Sequence, residues 1–589
     1  MKYIITILFL TVIFSVSLFA QKDTVDVATD GASGGNLNNA IQTAIDGGTL
    51  SNTVFRLELF GYYIFTGAIT VPQGEHLEIV APDPGTTQET AMPQLVWTES
   101  GAVTKDIYID CFGDLTIKNV WIRYADVGGV QVGSTIQFND DPIANASGKG
   151  EVGVFENVIF DYSAIPPTNS GGAINLLCKK FNGTFKNCYF RNCMDPHFRY
   201  YGRAVSFPFN TVDWHTDNIL FENCTFANVG YVYQQESNEY GDNVHFNHCT
   251  FLNIVMFSLQ SGWWYKMSVT NSIWVNAYMF GNIPVQGDTE GGAFTIDFAD
   301  SINFTVPFTD QDRRILFAHN SYFQEDWLVD WQANNPYSTF LHQQRRDDEI
   351  PVSRPMIGPP TLVFFDSISA VTGEKAYPYM NKAALYDSTD PGFLVPPTNV
   401  ENLKLFLQYK WDTNADTNWA WNPNSGWFQE WPLPENLSYT NEELKTAGMG
   451  GFPLGDLYRW WPEKYAEWKA QEEAEHERIF TWLETGNDPA SAIEPLPGVA
   501  VPSKYKLGQN YPNPFNPTTA IEYSVPLSGY VSLRVYNTLG EEVAILVNGN
   551  QNAGSYLATF DGSGLASGVY FYRLESGSVV LTKKLMLMK

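Results

Sequence analysis

The chain has 589 residues, of which 64 are acidic and 35 basic, giving a formal net charge of −29. A chain of this length exceeds one ordinary hydrophobic core, so we expect two or more domains. Hydrophobic residues make up 44% of the chain and aromatic residues 15%, which excludes general disorder. The excess of negative charge repels nucleic acid and anionic membranes, so we expect neither as a partner unless a local basic cleft or bound calcium reverses the charge.

The N-terminal segment, MKYIITILFLTVIFSVSLFA, has the pattern of a secretory signal peptide. Lys2 precedes an apolar run from Tyr3 to about Val16, and residues 17–20 follow it. We expect cleavage after Ala20. A membrane anchor is the alternative, but the run is short for a bilayer span and lacks a basic flank. The mature chain is therefore predicted to be exported without a transmembrane anchor.

A six-residue phrase recurs between about residues 115 and 325. It combines an apolar residue, any residue, Asn or His, a small residue, any residue and a large apolar residue. The copies are IKNVWI (117–122), FENVIF (155–160), FKNCYF (185–190), FENCTF (221–226), FNHCTF (246–251), VTNSIW (269–274) and AHNSYF (318–323). A single six-residue strand cannot bury its apolar face, but stacked copies can. The repeat therefore predicts a right-handed parallel β-helix over residues 21–345, in a protein that is mainly β.

Two columns of side chains follow from this alignment. The third position should form a structural ladder along the turns, occupied by Asn119, Asn157, Asn187, Asn223, Asn271 and Asn320, with His248 as a substitute. The fourth position places Cys188, Cys224 and Cys249 in the interior, where we expect reduced thiols. A coil spacing of about 4.8 Å would also tolerate a disulfide.

The region before the repeats supplies a possible cap. The stretch GGNLNNAIQTAID predicts a short helix with Leu37, Ala40, Ile41 and Ala44 on one face, and strand-like segments follow it. A helix there would cover the open end of the solenoid. This succession resembles the N-terminal part of pectin-lyase-like β-helix proteins, over roughly residues 30–330.

Tryptophan becomes dense after the repeats fade. A Trp-rich segment, residues 346–486, contains Trp411, Trp419, Trp421, Trp427, Trp431, Trp460, Trp461, Trp468 and Trp482. The stretch from Trp460 to Gly486 predicts a helix with Pro462 in its first turn. We expect this partly helical segment to pack on the β-helix or cap it, although exposed tryptophans could instead form a carbohydrate platform. Residues 487–504 are rich in proline and small residues and read as a linker.

The last segment, residues 505–589, predicts a small β-sandwich. Strand patterns occur at AIEYSV, VSLRVYN, EEVAILV, SYLATFD, GVYFYRLE and VVLTKKLML. The prolines of the preceding YPNPFNP stretch remove backbone donors and so protect that edge from aggregation. The motifs QNYPNPFNPTT, VYNTLGEEV, AGSY and LASGVYFYRL, with the terminal lysines, resemble the type A C-terminal sorting domain of type IX secretion.

This second resemblance implies an export route and a set of signal residues. Such domains occur on exported proteins of the Bacteroidetes and related bacteria. They carry the chain across the outer membrane to the cell surface or the medium, through the secretion machinery, and a sortase-like peptidase usually removes them. The matching residues are Asn510, Pro512, Asn513, Pro514, Phe515, Pro517, Gly540, Gly568, Tyr570, Lys583 and Lys584.

Two functions remain open for the passenger ahead of the linker. One is a polysaccharide lyase or glycoside hydrolase acting on an acidic polysaccharide. A lyase would need a base and a cation such as calcium, and a hydrolase would need two converging carboxylates. The best cluster for it is Asp195, His197, Arg199 and Arg203, which follow a repeat strand, and the pairs Asp213 with His215 and Asp242 with His245 are weaker candidates. A loop with surface ion pairs is the plain alternative. No metal ligands are assigned among these residues and no cofactor is certain, but bound calcium is left open.

We favour the other class, a glycan-binding, adhesive or envelope-structural protein, because hydrolase and phosphate-binding motifs are absent from the sequence. The stretch SGWWYK offers Trp263, Trp264 and Tyr265 as rings that could stack on a sugar. Whether the passenger is an enzyme is left open by the sequence.

Overall fold

The computed structural model describes residues 22–85, 89–98, 106–140, 150–163, 172–194, 202–207, 215–235, 240–281, 291–301, 306–334, 353–412, 431–489, 493–495, 505–526, 529–551, 554–576 and 579–588. The predicted signal peptide lies outside these ranges. Within them, no helix is both long enough and apolar enough to cross a membrane. The chain divides into two compact units, residues 1–377 with 381–469, and residues 378–380 with 470–589.

The first unit is built on a parallel β-helix whose coils contribute strands to three sheets. The first sheet contains β1 (Asp23–Asp26), β2 (Thr53–Arg56), β5 (His76–Val80), β8 (Asp114–Lys118), β11 (Glu151–Glu156), β14 (Lys180–Lys186), β17 (His215–Glu222), β20 (Gly241–Asn247) and the first parts of β23 (Trp264–Ala277) and β24 (Arg314–Phe323). Each of these strands pairs in parallel with the strand one coil away.

The second and third sheets repeat this arrangement. The second contains β3 (Tyr62–Phe65), β6 (Gln94–Trp97), β9 (Trp121–Asp126), β12 (Ile159–Asp161), β15 (Tyr189–Cys193), β18 (Thr225–Val229), β21 (Thr250–Ile254) and the last parts of β23 and β24. The third contains β4 (Ile69–Val71), β7 (Ile107–Cys111), β10 (Thr135–Asn139), β13 (Ile174–Leu177), β16 (Arg203–Phe207), β19 (Tyr231–Gln235) and β22 (Leu259–Gln260). The predicted parallel β-helix is confirmed.

The interior is filled by stacked aromatic rings, because equivalent residues of successive coils lie directly above one another. Phe155, Phe185, Phe221 and Phe246 form one stack with ring centroids 4.9, 4.7 and 4.6 Å apart. Phe160, Phe190, Phe226, Phe251 and Trp274 form a second stack with spacings of 4.4, 5.1, 5.4 and 4.3 Å. Stacks of this kind add about 0.5–1.5 kcal/mol per pair beyond the burial of apolar area.

The cysteines are all buried and none forms a disulfide. Cys188, Cys224 and Cys249 occupy one register position, and their thiols donate to the backbone oxygens of Phe155, Phe185 and Phe221 at 3.3–3.5 Å. They lie in the predicted column as reduced thiols. Burial raises the pKa of the Cys188 and Cys249 thiols, which keeps them protonated and unreactive.

The third position of the repeated phrase lies at a corner between the first and second sheets. Asn119, Asn157, Asn187, Asn223 and Asn271 have positive φ there, between 50° and 60°, as does His248 at 51°. Asparagine tolerates this left-handed conformation better than most residues, which accounts for its recurrence.

The placement of Asn320 in this ladder was wrong. Strand pairing aligns Ser272 with Asn320, so His319, with φ 55°, takes the ladder position. Asn320 instead lies in the cysteine column, where it donates to Val269 O at 2.8 Å and accepts from Ser272 N at 3.1 Å. The last copy of the phrase is therefore FAHNSY, with asparagine in the small-residue position.

A second asparagine ladder, which the sequence analysis missed, lies five residues further along each coil. Asn192, Asn228, Asn253 and Asn276 have φ between 52° and 57°. The side-chain amides of Asn228, Asn253 and Asn276 each donate to the asparagine of the preceding coil, at 3.3, 3.0 and 2.8 Å, and Asn192 donates to Asp161 Oδ1 at 3.2 Å. Glu325 ends the row by donating its backbone N–H to Asn276 Oδ1 at 3.0 Å. The second sheet is thus bordered by a ladder on both sides.

Helices and short strands cover the start and the flank of the β-helix. Helix α1 (Asn36–Asp46) contacts β2, β3 and β4 and buries Leu37, Ile41 and Ala44. The later elements are α2 (Asp326–Asn334), α3 (Pro359–Asp366), β25 (Met380–Asp387), β26 (Phe393–Val395), α4 (Val400–Asp412), β27 (Asn436–Tyr439), α5 (Leu457–Trp460) and α6 (Pro462–Lys469), with 3-10 turns at Leu50–Asn52, Ala299–Ser301, Leu444–Thr446 and Met449–Gly451. The helix predicted from Trp460 to Gly486 is broken into separate helices.

The segment from Trp431 to Trp461 lies on the outer surface of the second sheet. Its buried side chains Leu433, Leu437, Tyr439, Leu444, Leu454 and Trp460 form one apolar cluster with Trp121, Ile159, Tyr189, Leu252 and Ile273 of the strands. Trp468 is fully buried, with its ring 5.5 Å from His248. These tryptophans pack against the β-helix, whereas Trp419, Trp421 and Trp427 lie outside the described residues.

The second unit contains helix α7 (Glu472–Thr485) and a two-sheet sandwich. One sheet has the order β28 (Ile493–Pro495), β33 (Gly554–Asp561), β30 (Thr518–Val525), β29 (Lys506–Leu507). The other has the order β32 (Glu542–Gln551), β31 (Gly529–Tyr536), β34 (Gly568–Ser576), β35 (Val579–Leu587). The named strands within both sheets pair antiparallel.

The predicted signal residues surround one edge of this sandwich. Asn510 is buried and donates to Pro512 O and Thr519 Oγ1 at 3.1 and 3.0 Å. Gly540 has φ 82° in the turn between β31 and β32, where a side chain would be strained. Gly568 opens β34, and Tyr570 donates to Ala566 O at 2.8 Å.

The proline-rich clasp, residues 509–517, covers the free edge of β35, the strand that carries Lys583 and Lys584. Gln509 Nε2 donates to Lys584 O at 2.8 Å, and Met586 N donates to Asn513 Oδ1 at 2.9 Å. Phe515 exchanges backbone hydrogen bonds with Met586 and Met588 at 3.0 Å each. The clasp also pairs with the opposite sheet through Tyr511 and Ala520, and Pro517 O accepts from Gly562 N at 2.8 Å. It therefore protects a strand edge and joins the two sheets.

Replacing Phe515 by alanine should destabilise the sandwich. The side chain is 2% exposed, so its loss removes core contacts worth about 3–5 kcal/mol. Hydrogen exchange of the β34 and β35 amides, followed by mass spectrometry, should show faster exchange in Phe515→Ala. Tyr511→Ala is the matched control, because Tyr511 lies in the same clasp and is 82% exposed. Equal exchange in the two variants would contradict this role of the clasp.

Candidate functional site

Only one member of the predicted catalytic cluster falls within the described residues. Asp195, His197 and Arg199 lie outside them. Arg203 opens β16, is 2% exposed, and has its guanidinium 5.8 Å from the ring centroid of Tyr231. Its Nη1 donates to Ser206 Oγ at 3.4 Å. A guanidinium buried in this way is not accessible to a polymeric substrate. Because the other three residues are not described, the catalytic cluster stays a prediction.

The weaker histidine candidates are dispersed. Asp213 lies outside the described residues, and its partner His215 begins β17. Asp242 and His245 both lie on β20, where His245 Nδ1 is 2.8 Å from Ser268 Oγ. His248 is fully buried in the corner ladder, which agrees with its reading as a substitute for asparagine.

The predicted stacking rings do not form an open platform. Trp264 is fully buried and packs 5.8 Å from the ring of Tyr233, so its assignment as a stacking residue was wrong. An apolar ring next to the solenoid interior is more stable buried than exposed. Tyr265 stacks on Phe308 at 5.1 Å. Trp263 is half-buried and donates its indole N–H to Ser301 Oγ at 3.1 Å.

The structure does gather charged side chains on the outer surface of the second sheet. Arg123, Asp161 and Arg191 occupy one register position on three successive coils, and each is at most 1% exposed. Arg191 Nη1 donates to Asp161 Oδ2 at 2.9 Å. Burial lowers the pKa of Arg123 to about 10, against the opposing attraction of Asp161. One carboxylate therefore faces two buried guanidinium groups.

The segment from Trp431 to Trp461, which we call the covering segment, supplies the second carboxylate, that of Glu435. Arg191 Nε donates to Glu435 Oε1 and Nη2 donates to Oε2 at 3.4 Å, while Tyr189 OH donates to Oε1 at 3.0 Å. Burial opposes the charge on Arg191, but Glu435 and Asp161 more than offset it and raise its pKa. The buried network is thus completed by a residue more than two hundred positions away.

A small pocket opens beside this network, where the covering segment packs on the second sheet. It is lined by Pro84, Gly85, Met92, Asn157, Trp431, Tyr458 and Arg459. Aromatic rings and one guanidinium in a concave site are suited to an apolar ring face that carries polar or charged groups.

Asp456 fixes two lining residues of the pocket. It caps helix α5, accepting from Arg459 N at 3.1 Å, and its other oxygen accepts from Thr225 Oγ1 at 2.7 Å. Its own N–H donates to Thr250 Oγ1 at 3.0 Å. Burial raises the pKa of Asp456 to about 7, although Arg459 opposes the shift. The short helix that presents Tyr458 and Arg459 is therefore held to the β-helix.

Several donors at the pocket are left unused. The indole N–H groups of Trp121 and Trp431 and the Nε of Arg459 are buried and make no hydrogen bond with a described residue. The two indole rings lie 5.7 Å apart. Arg459 Nη2 reaches Asn187 O at 3.4 Å, and among the described carboxylates none lies within ion-pair distance of it. Unsatisfied buried donors are costly unless a ligand or water accepts from them.

The charged column could have been predicted from the sequence. The residue directly after the repeated phrase is Arg123, Asp161 and Arg191 in successive copies, an alternation of sign at one fixed position. The pocket residues Tyr458 and Arg459 carried no such signal, because their role depends on where helix α5 packs.

Comparison with known proteins identifies the C-terminal segment. Residues 509–588 match the family of secretion system C-terminal sorting domains. No curated protein and no solved structure matches the chain. The protein is a substrate of type IX secretion, and its sorting domain interacts with the secretion machinery. It is exported across the outer membrane to the cell surface or the extracellular space.

Glu435→Gln should destabilise the first unit by about 3–5 kcal/mol, because it leaves Arg191 with an uncompensated buried charge. Urea unfolding monitored by tryptophan fluorescence measures the loss. Glu443→Gln is the control, since Glu443 is an exposed residue of the same segment. A Glu435→Gln variant as stable as this control would contradict the ion-pair assignment.

Asp456→Asn should remove a pH dependence of stability. The folded-state pKa of Asp456 is raised from 3.8 to about 7, so its contribution is full below pH 3.8 and is lost as pH rises through about 7. Asparagine preserves the helix cap without ionising. The stability of the variant relative to wild type should therefore rise between pH 4 and 8, by an amount on the order of 4 kcal/mol. A difference that does not change with pH would refute the assignment.

Proposed function

We propose that the exported passenger is a glycan-binding protein, and that the pocket formed by Trp431, Tyr458 and Arg459 holds a sugar ring of an acidic glycan. The observation that carries this proposal is that two residues lining an aromatic pocket hold buried donors without a partner, Trp431 Nε1 and Arg459 Nε. Sugar hydroxyl and carboxylate oxygens are acceptors of the kind these donors require.

The aromatic rings supply the apolar part of recognition. Trp431 and Tyr458 line the pocket beside Met92 and Pro84, so the C–H face of a sugar ring would meet rings and aliphatic carbon on more than one side. Such contacts stabilise through burial of apolar area, at about 25 cal/mol per Å².

Arg459 favours a carboxylate-bearing sugar. Its guanidinium lies among aromatic rings, 5.2 Å from the Tyr189 centroid, and no described carboxylate comes within ion-pair distance. In a chain of net charge −29, this arginine makes the electrostatic potential at the pocket locally more positive. A charge-assisted hydrogen bond to a uronate would contribute about 1.5–3 kcal/mol.

The lyase or hydrolase alternative rests on Asp195, His197, Arg199 and Arg203, and no geometry on the described residues favours it. It predicts an unsaturated product from pectate, alginate or chondroitin, which absorbance detects. The sortase-like peptidase of this export route would release the sorting domain in either case.

Binding should be measured by calorimetry on the purified full chain with oligogalacturonate and oligoalginate, against a neutral glucan. We expect the uronate ligands to bind and the neutral glucan to bind at least ten-fold more weakly. Trp431→Ala and Arg459→Met should each weaken uronate binding by about ten-fold or more, since 1.4 kcal/mol is a factor of ten.

Trp263→Ala is the matched control, because it removes a half-buried tryptophan of the same unit at the other candidate surface. Loss of binding in Trp263→Ala with unchanged binding in Trp431→Ala would move the site to the SGWWYK stretch. Absence of uronate binding by the wild-type chain would refute the proposal itself.

A further inference from the structure

The outer face of the sheet β32–β31–β34–β35 differs from the outer face of its partner sheet. It carries Arg534, Tyr536, Ile545, Phe571, Arg573, Val580, Lys584 and Met586, which we call the basic apolar face, together with the carboxylates Glu542 and Glu575. The partner sheet presents Thr518, Glu522, Leu557 and Thr559 outward. Antiparallel sheets with one face on the core normally place polar residues on the other face, so the basic apolar face requires an explanation.

The apolar side chains of this face are well exposed. Val580 is 56% exposed, Ile545 50%, Met586 41% and Phe571 38%. Strand register places Lys584, Phe571 and Tyr536 side by side across three strands, and places Thr582, Arg573, Arg534 and Ile545 in the next row. Phe571 and Met586 lie on adjacent strands two residues out of register, so they are close on this surface, while Ile545 and Val580 lie on the two outer strands of the sheet. Exposed apolar side chains that lie together mark interaction sites on proteins.

Positive charge is interleaved with these residues. Arg573 lies over the ring of Tyr536, with its guanidinium carbon 5.0 Å from the centroid. Arg534 is held by Glu542 at 2.6 Å, and Arg573 Nη1 lies 3.5 Å from Glu575 Oε1. Lys584 forms no ion pair with a described residue, so it is the basic side chain of this face that is left for a partner. Residues 505–589 contain six basic and five acidic residues, whereas the whole chain has 35 basic and 64 acidic residues. The charges of the sorting domain are therefore nearly balanced, whereas the rest of the chain is strongly acidic.

The edge of this sheet is closed to a partner strand next to the face. The backbone groups Lys584 O, Met586 N, Met586 O and Met588 N are already bonded to the clasp. A partner cannot add a strand along that part of β35. Recognition there must use side chains.

We propose that the basic apolar face is the surface by which the sorting domain docks on the secretion machinery. Its partner is a protein surface with an apolar centre bordered by carboxylates. Phe571 and Met586 supply the apolar contact, and Lys584 and Arg573 supply the charge complementarity. The interaction with the machinery follows from the family of the segment, and the choice of face follows from its exposure and charge.

The test is export of the full chain from a host that has this secretion system. The variant Phe571→Ser with Lys584→Glu changes the face, and Leu557→Ser with Thr559→Glu changes the opposite sheet by the same chemistry. Protease accessibility on intact cells and the amount in the medium measure the exported fraction. We expect the face variant to accumulate in the periplasm with at least a ten-fold loss of exported protein, and the control to be exported as wild type.

Folding and the alternative partner are checked separately. Hydrogen exchange of the periplasmic face variant should show wild-type protection of the sandwich. If the face variant is unfolded, the single variant Lys584→Glu is used instead, because Lys584 is exposed and its replacement should leave the fold intact. Loss of export in this single variant would then support the proposal, and normal export would overturn it. Normal export of a folded face variant would overturn the proposal. A second result would also overturn it. If the wild-type chain binds phosphatidylglycerol vesicles and the face variant does not, the face binds a membrane and not a protein.

Discussion

The in-register stacking of parallel strands is the constraint on which the first unit depends. Each coil hydrogen-bonds to the next through the same backbone positions, so a residue type that suits one coil suits its neighbours. The phenylalanine stacks, the thiol column and the two asparagine ladders are consequences of this alignment. It also aligns charge, because Arg123, Asp161 and Arg191 share one column. The fold tolerates that column only with a second carboxylate from outside the solenoid.

Much of the fold could be predicted because alignment of the repeated phrases gives the register of the strands. The phrase around Phe185 and Phe221 identifies the inward positions, and the strand pairing follows it. The last copy was misaligned by one residue because AHNSYF and FAHNSY both satisfy the pattern, and only strand pairing distinguishes Asn320 from His319. The second ladder was not predicted because its asparagines lie beyond the end of the six-residue phrase. Asn192 and Asn228 nevertheless recur five positions after Asn187 and Asn223.

The candidate pocket could not be predicted in the same way. Trp431 and Arg459 are close only because helix α5 is capped by Asp456 and held by threonines of two coils. Such contacts join residues separated by more than two hundred positions and leave no periodicity in the sequence. Composition did indicate that tryptophan was concentrated in this segment. It could not indicate which rings would be buried, as Trp460 and Trp468 are, and which would line an opening.

The distance in sequence between Arg191 and Glu435 has a consequence for truncated chains. The two are 244 residues apart, so a chain cut anywhere between them keeps the guanidinium but lacks Glu435. Such a chain would bury Arg191 with Asp161 as its remaining counter-charge, and the loss of one partner of a buried ion pair is strongly destabilising. The last third of the passenger is therefore needed for the stability of coils that precede it by more than two hundred residues.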